Sequence, residues 1–121
     1  MNSSISHEDR IAGESRREVT GAVTLMNSFV VPAGRDDAFK ALWDDTSRYF
    51  IARPGFVSLR LHRAVSDEAT HRWVNVATWE TEADYRAAHS TDEFRRVVTQ
   101  KGWEEFPSVP TLYEVVTAIG S

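Results

Sequence analysis

Apolar and polar positions alternate most clearly between His71 and Glu80, where HRWVNVATWE carries no Gly or Pro. Alternation with Trp and Val in it predicts a strand. In a strand, every second side chain shares a face. Trp73, Asn75, Ala77 and Trp79 therefore look one way, and Arg72, Val74, Val76 and Thr78 the other. The second face is mostly a β-branched packing surface. The first holds two indoles, a small gap at Ala77 and one amide. An amide among aromatics is costly to bury without a hydrogen bond. Such a face is either ordinary core or the floor of a pocket for a flat, oxygenated molecule.

The same period of two runs through Val23–Val31 (VTLMNSFVV), with Asn27 the one polar residue on the face of Val23, Leu25, Phe29 and Val31. Pro32-Ala-Gly34 ends that strand. From Arg35 to about Ala52 the spacing changes to three and four, with Phe39, Leu42, Trp43, Thr46, Tyr49 and Phe50 recurring, which predicts a helix. Asp36 and Asp37 sit in its first turn, where the helix dipole favours negative charge, and Pro54-Gly55 stops it. Phe56–Arg63 is a second strand, Ser66–Thr70 a polar hairpin loop, and the Trp73–Trp79 strand follows. Thr81 caps a second helix through Tyr85 to His89. Ser90 and Glu93 have capping-box spacing, so the helix restarts there, with Phe94, Val97 and Val98 on its apolar side and Lys101-Gly102 at its end. Trp103 to Pro110 reads as a loop and Leu112 to Ala118 as a last strand.

The order βαββαβ implies an α+β, ferredoxin-like domain. In that topology the first and third strands are central neighbours. Asn27 and Trp79 then project into the same space under the helices. Both faces of these strands are apolar, so the face away from the helices calls for a second subunit.

Composition narrows the functional classes. The chain has 121 residues, fitting one domain, and is 41% hydrophobic and 26% charged with a net charge of −4. Lys and Arg do not cluster, which argues against nucleic-acid binding. There is no cysteine, so disulfides and thiolate chemistry are excluded, which fits a cytoplasmic setting. Residues 1–19 are polar and read as a mobile tail without a secretion signal; residues 20–121 form the domain. No apolar run approaches a membrane span. The four His are too scattered for a metal site, and no phosphate loop or nucleophile motif occurs.

Three stretches carry a family resemblance: Val-Thr-Leu-Met-Asn27-Ser-Phe-Val-Val, then Arg53-Pro-Gly-Phe56, then Val74-Asn75-Val-Ala-Thr-Trp79-Glu-Thr-Glu-Ala-Asp-Tyr85-Arg. Together they resemble the antibiotic biosynthesis monooxygenase family, over about Val23 to Val116. The Arg-Pro-Gly-Phe turn and the Trp-Glu pair speak for fold only. The first-strand Asn with Val-Asn-x-Ala-x-Trp is similar to the cofactor-free anthrone oxygenases of aromatic polyketide pathways. The resemblance implies a dimeric α/β barrel of ferredoxin-like subunits, molecular oxygen as co-substrate, and no resident cofactor. It implies catalytic roles for Asn27 and Trp79, and a cavity lined by Asn75, Tyr85 and, through an alignment that crosses a length change, Arg95. Related haem-degrading enzymes need a Trp and an axial His where this chain has Ala88 and Val98, which disfavours haem.

The implied chemistry suits these residue types. An anthrone has acidic CH protons, because losing one gives an aromatic enolate. That anion reduces triplet oxygen by one electron, recombination gives a hydroperoxide, and loss of water gives the quinone. The protein has to bind a flat ring, stabilise the enolate and exclude bulk water. An Asn amide and the Trp79 indole N–H are suitable donors. The proton acceptor is not assigned by the sequence: His62 sits at an unsuitable strand position, and His89, near the pocket end of the second helix, is the better candidate. Each residue also has an ordinary reading: Asn27 and Asn75 as satisfied core amides, Trp79 as core, Tyr85 as helix packing, His89 and Arg95 as solvated helix residues. Rival functions are a polyketide cyclase or isomerase using the same enolate stabilisation, and a non-catalytic small-molecule or haem-binding dimer.

Overall fold

The computed structural model describes Arg17, residues 19–99 and residues 102–120. The proposed tail, residues 1–19, lies outside the described residues except for Arg17 and Val19, and so does Lys101. The elements are β1 (Val23–Phe29), α1 (Asp36–Ile51), β2 (Phe56–Arg63), β3 (Trp73–Trp79), α2 (Glu82–Ala88), α3 (Asp92–Val98), a 3-10 turn (Trp103–Glu105) and β4 (Ser108–Tyr113). The strands form one antiparallel sheet in the order β2-β3-β1-β4. This is the ferredoxin-like α+β arrangement, with the second helix broken in two.

Burial follows the alternation. Val23, Leu25 and Phe29 of β1 and Trp73, Ala77 and Trp79 of β3 are buried on the face under the helices. Phe39 of α1 is fully enclosed at 0% exposure and touches Phe29, Trp73 and Phe106. Gly55 makes the return from α1 into β2. Its φ is +81°, and a Cβ there would lie 2.2 Å from the Asp84 side chain. Only glycine meets both demands. Its carbonyl then accepts from the Glu80 N–H at 2.8 Å, tying the start of β2 to the end of β3.

Three boundaries differ from the sequence reading. The first strand ends at Phe29 rather than Val31. The break in the second helix is capped by Thr91, not Ser90: the Ser90 hydroxyl donates back to the Arg86 carbonyl at 2.6 Å, while Thr91 Oγ1 accepts from the Phe94 N–H at 2.9 Å. The last strand lies earlier, at Ser108–Tyr113 rather than Leu112–Ala118, and includes Pro110 opposite Asn27. A proline is tolerated because β4 is an edge strand paired only with β1.

Among the described residues, no helix covers the opposite face of the sheet. Met26, Val57, Val109 and Tyr113 stand 40%, 51%, 57% and 48% exposed there. No helix among the described residues is long and apolar enough to cross a membrane.

Candidate functional site

The core is not continuous. One buried cluster gathers Phe29, Val31, Phe39, Trp73 and Phe106, and a second gathers Val23, Trp79 and Ala88. Between them, under the helices, lies a cavity of about 400 Å³. Its floor is the middle of β1 and β3: Leu25, Asn27, Asn75, Ala77 and Trp79. Phe50 and Trp43 of α1, Tyr85 and His89 at the α2 end, and Phe94 of α3 form walls. The volume falls in the range of small-molecule pockets, and the lining is predominantly apolar with a few polar groups, as such pockets are.

The polar groups in this cavity are unusual in one respect. Asn27 Oδ1, Asn75 Oδ1 and Trp79 Nε1 are buried without a hydrogen-bond partner among the described residues. Register makes Asn27 and Asn75 direct cross-strand neighbours and sets Trp79 opposite Val23. The other indoles of the core behave differently. Trp73 Nε1 donates to Asp36 Oδ1 at 3.3 Å, and Trp103 Nε1 donates to Thr46 Oγ1 at 2.9 Å. Three such atoms at one cavity have no partner in the protein itself and are therefore available to a molecule held there. Neither the Asn27 nor the Asn75 side-chain oxygen is satisfied by a described residue.

His89 follows α2 directly and closes the pocket beside Trp79. Its Nδ1 lies 2.7 Å from the Tyr85 carbonyl oxygen. A carbonyl only accepts, so Nδ1 carries the proton and Nε2 is left with a lone pair when the ring is neutral. The ring packs 4.2 Å from the Tyr85 ring and 4.9 Å from the Phe94 ring, centroid to centroid. Burial pushes its pKa below the usual value, against a smaller opposing effect of the Tyr85 carbonyl. The helix turn that carries it is fixed by Tyr49, whose hydroxyl donates to the Ala88 carbonyl at 2.5 Å and lies 2.5 Å from Thr91 Oγ1.

The structure therefore brings Asn27, Asn75, Trp79, Tyr85 and His89 to one cavity. Arg95 is not among the cavity residues. It lies on the exposed side of α3 and pairs with Asp92 at 2.8 Å, so a role in contacting a molecule held there is not carried by its position. His62 is exposed on β2, in register with Val74 of the opposite face. Phe94 is a pocket wall that sequence reasoning read only as the apolar side of a helix. Its three-residue distance from the Thr91 cap, which turns it inward, was the available signal. Among the described residues no group of three or more His, Asp or Glu is placed to hold a metal.

Known proteins share the fold that carries this cavity. No curated protein sequence matches the chain. Among solved structures, the chain is 31% identical to a putative monooxygenase from Shewanella loihica, over 83% of this chain and 99% of that one, with a TM-score of 0.69. It shares its fold with SnoaB, a cofactor-independent oxygenase from Streptomyces nogalater (24% identity, 84% and 100% of the two chains, TM-score 0.71). It also shares it with an MhuD variant solved with two manganese protoporphyrin IX bound per active site (22% identity, 82% and 99%, TM-score 0.68). The family model for antibiotic biosynthesis monooxygenases matches residues 22–100, which span β1 through α3 and the whole floor of the cavity, and the chain belongs to that family.

Proposed function

We propose that this protein is a cofactor-independent monooxygenase that oxidises an anthrone-like polycyclic aromatic intermediate of polyketide biosynthesis to a quinone with molecular oxygen. The observation that carries the reading is the set of three orphaned polar atoms, Asn27 Oδ1, Asn75 Oδ1 and Trp79 Nε1, around an apolar cavity of about 400 Å³. A flat polycycle fills the space between the two core clusters. Its phenolic hydroxyls donate to the two amide oxygens, and its ring carbonyl accepts from the Trp79 N–H. When the ring carbon loses a proton, charge gathers on that carbonyl oxygen, and the Trp79 hydrogen bond strengthens as it does so. Catalysis of this kind needs donors aimed at the developing charge in a water-poor site. The substrate supplies the electrons, so oxygen is the only further reactant.

Haem would find no axial ligand at the place the resemblance calls for. Where the resemblance calls for an axial ligand the chain has Val98, which lines the cavity and offers no donor. We read the exposed apolar face around Met26, Val109 and Tyr113 as the contact of a homodimer, which is how two sheets of this kind bury such a surface.

The test is oxygen uptake with dithranol in metal-free buffer. Uptake well above the uncatalysed rate, with a quinone product, is the expected result. A product of unchanged mass favours a cyclase or isomerase, and no acceleration of any kind rejects enzymatic action on this substrate class.

A further inference from the structure

The oxidation just described starts with loss of a carbon-bound proton, and neither Asn nor Trp can take one. Among the residues at the cavity, the acceptor has to be a group that is neutral near pH 7 and carries a lone pair. Tyr85 is a phenol and a donor at that pH. His89 is the remaining nitrogen base of the lining.

We propose that His89 is the proton acceptor of this site, with Nδ1–H anchored on the Tyr85 carbonyl and Nε2 taking the proton from the acidic ring carbon of a bound ketone-bearing polycycle. The inference rests on the functional reading above and adds the missing base to it. Three observations support it. The 2.7 Å contact from Nδ1 to the Tyr85 oxygen sets the tautomer and the ring orientation together. The His89 and Trp79 rings are 6.0 Å apart, so the base and the enolate-oxygen donor flank the same part of the cavity. The groups packed on His89 are uncharged rings: Phe50 of α1 at 5.1 Å, Trp79 of β3, Phe94 of α3 and Tyr85 of its own helix. Arg53 is stacked over Tyr49 instead, at 4.9 Å. Among the described residues no charged group counters the burial that holds the ring neutral; burial lowers its pKa from the ordinary value of 6.5, so the base form predominates at neutral pH.

The bookkeeping of atoms is complete with oxygen as oxidant. The C–H bond breaks, the proton goes to Nε2, and the electron pair moves to the ring carbonyl oxygen beside Trp79. The enolate gives one electron to O2, and the resulting radical pair couples to form the C–O bond of a peroxide. The His89 imidazolium returns its proton to that peroxide. Nε2 then removes the second proton from the same carbon, the O–O bond breaks, the departing hydroxide takes that proton back from the imidazolium, and the quinone and water leave. One CH2 and one O2 become one C=O and one H2O.

The experiment separates the base from the oxidation. Dithranol is incubated anaerobically with the protein in deuterated buffer, and exchange at its methylene is followed by NMR; oxygen uptake is measured in parallel. His89→Asn keeps an N–H able to reach the Tyr85 carbonyl and removes Nε2. Wild-type protein is expected to accelerate exchange, and His89→Asn to lower it by roughly 10²–10⁴-fold, while still quenching tryptophan fluorescence on binding an anthraquinone. Partial recovery by added imidazole in His89→Ala adds support. Exchange without oxygen uptake keeps the base and removes the oxygenase. Oxygen uptake with unchanged exchange in His89→Asn keeps the oxygenase and overturns the base. Absence of both in the wild type overturns both.

Discussion

Asn27 of β1 stands directly opposite Asn75 of β3, and neither amide oxygen accepts a hydrogen bond from the other or from any described residue. Directly opposed residues in an antiparallel pair have Cβ atoms about 4.5–5.5 Å apart, so two amides there have every opportunity to pair. Their oxygens instead remain available at the floor of a cavity whose walls include Trp43, Phe50, Tyr85, His89 and Phe94. Amide oxygens so placed can accept hydrogen bonds from hydroxyl groups brought into the cavity.

The first prediction concerns the third unpartnered atom, Trp79 Nε1. Trp79→Phe removes the orphaned N–H and keeps most of the ring that packs on Phe50 and Phe56. Losing a hydrogen bond that serves only the bound molecule lowers turnover by roughly 10²–10³-fold. Melting temperature changes little, because an unsatisfied buried donor leaves with the substitution. Steady-state oxygen uptake and a thermal melt on one preparation check both halves. Turnover preserved in Asn27→Ala combined with Trp79→Phe would move the chemistry elsewhere.

Ala77 lies between Asn75 and Trp79 on the cavity floor and is 4% exposed. Enlarging it to Leu directs three extra carbons into the space a ring would occupy. Anthraquinone affinity should fall at least tenfold by fluorescence titration. Stability should fall by no more than about 1–3 kcal/mol, the usual cost of overpacking, and by less where the cavity absorbs the added volume.

Acidification tests His89 from the side of stability. Its folded pKa lies below its unfolded value of about 6.5, so the unfolded chain binds the proton more readily. Stability from this group is fully present above pH 6.5 and is lost as pH falls from there through the folded pKa. Asp36 is also held below its ordinary value, chiefly by hydrogen bonding from Arg72, but that contribution is lost only below about pH 4. Between pH 7.5 and 5.5 the wild-type melting temperature should therefore drop more than that of His89→Asn. Parallel melting curves in the two proteins would show that His89 is not buried neutral.

The exposed face of the sheet bears on assembly. Charging it with Met26→Glu and Val109→Glu should shift sedimentation from dimer to monomer while leaving the far-ultraviolet circular dichroism unchanged. A wild type that sediments as a monomer would overturn the proposed dimer, and a dimeric wild type whose sedimentation the double substitution leaves unaltered would place the contact on another surface.

A haem titration bears on the rival ligand. No histidine-ligated Soret shift is expected with Val98 at the axial place; a shift that His89→Asn abolishes would show that this cavity takes haem through His89 instead.

The alternation of residues in two strands was enough to put Asn27, Asn75, Ala77 and Trp79 on one face, because side-chain direction in a strand follows from local geometry alone. The order of elements was enough to make those strands neighbours. What the sequence could not express was which polar atoms find partners, since that depends on groups far apart in the chain. Trp73 and Trp103 are satisfied by Asp36 and Thr46, 37 and 57 residues away, and Trp79 is left without one. Nor could it place His89 and Arg95, six residues apart, since the turn capped by Thr91 aims one into the cavity and leaves the other in solvent. The sequence pattern sets the last strand too late for a similar reason: Pro110 breaks a strand pattern locally, and only the tertiary pairing of β4 as an edge makes its missing N–H harmless. Local periodicity thus determined the faces, and packing between distant segments decided which of their polar groups remain free to bind.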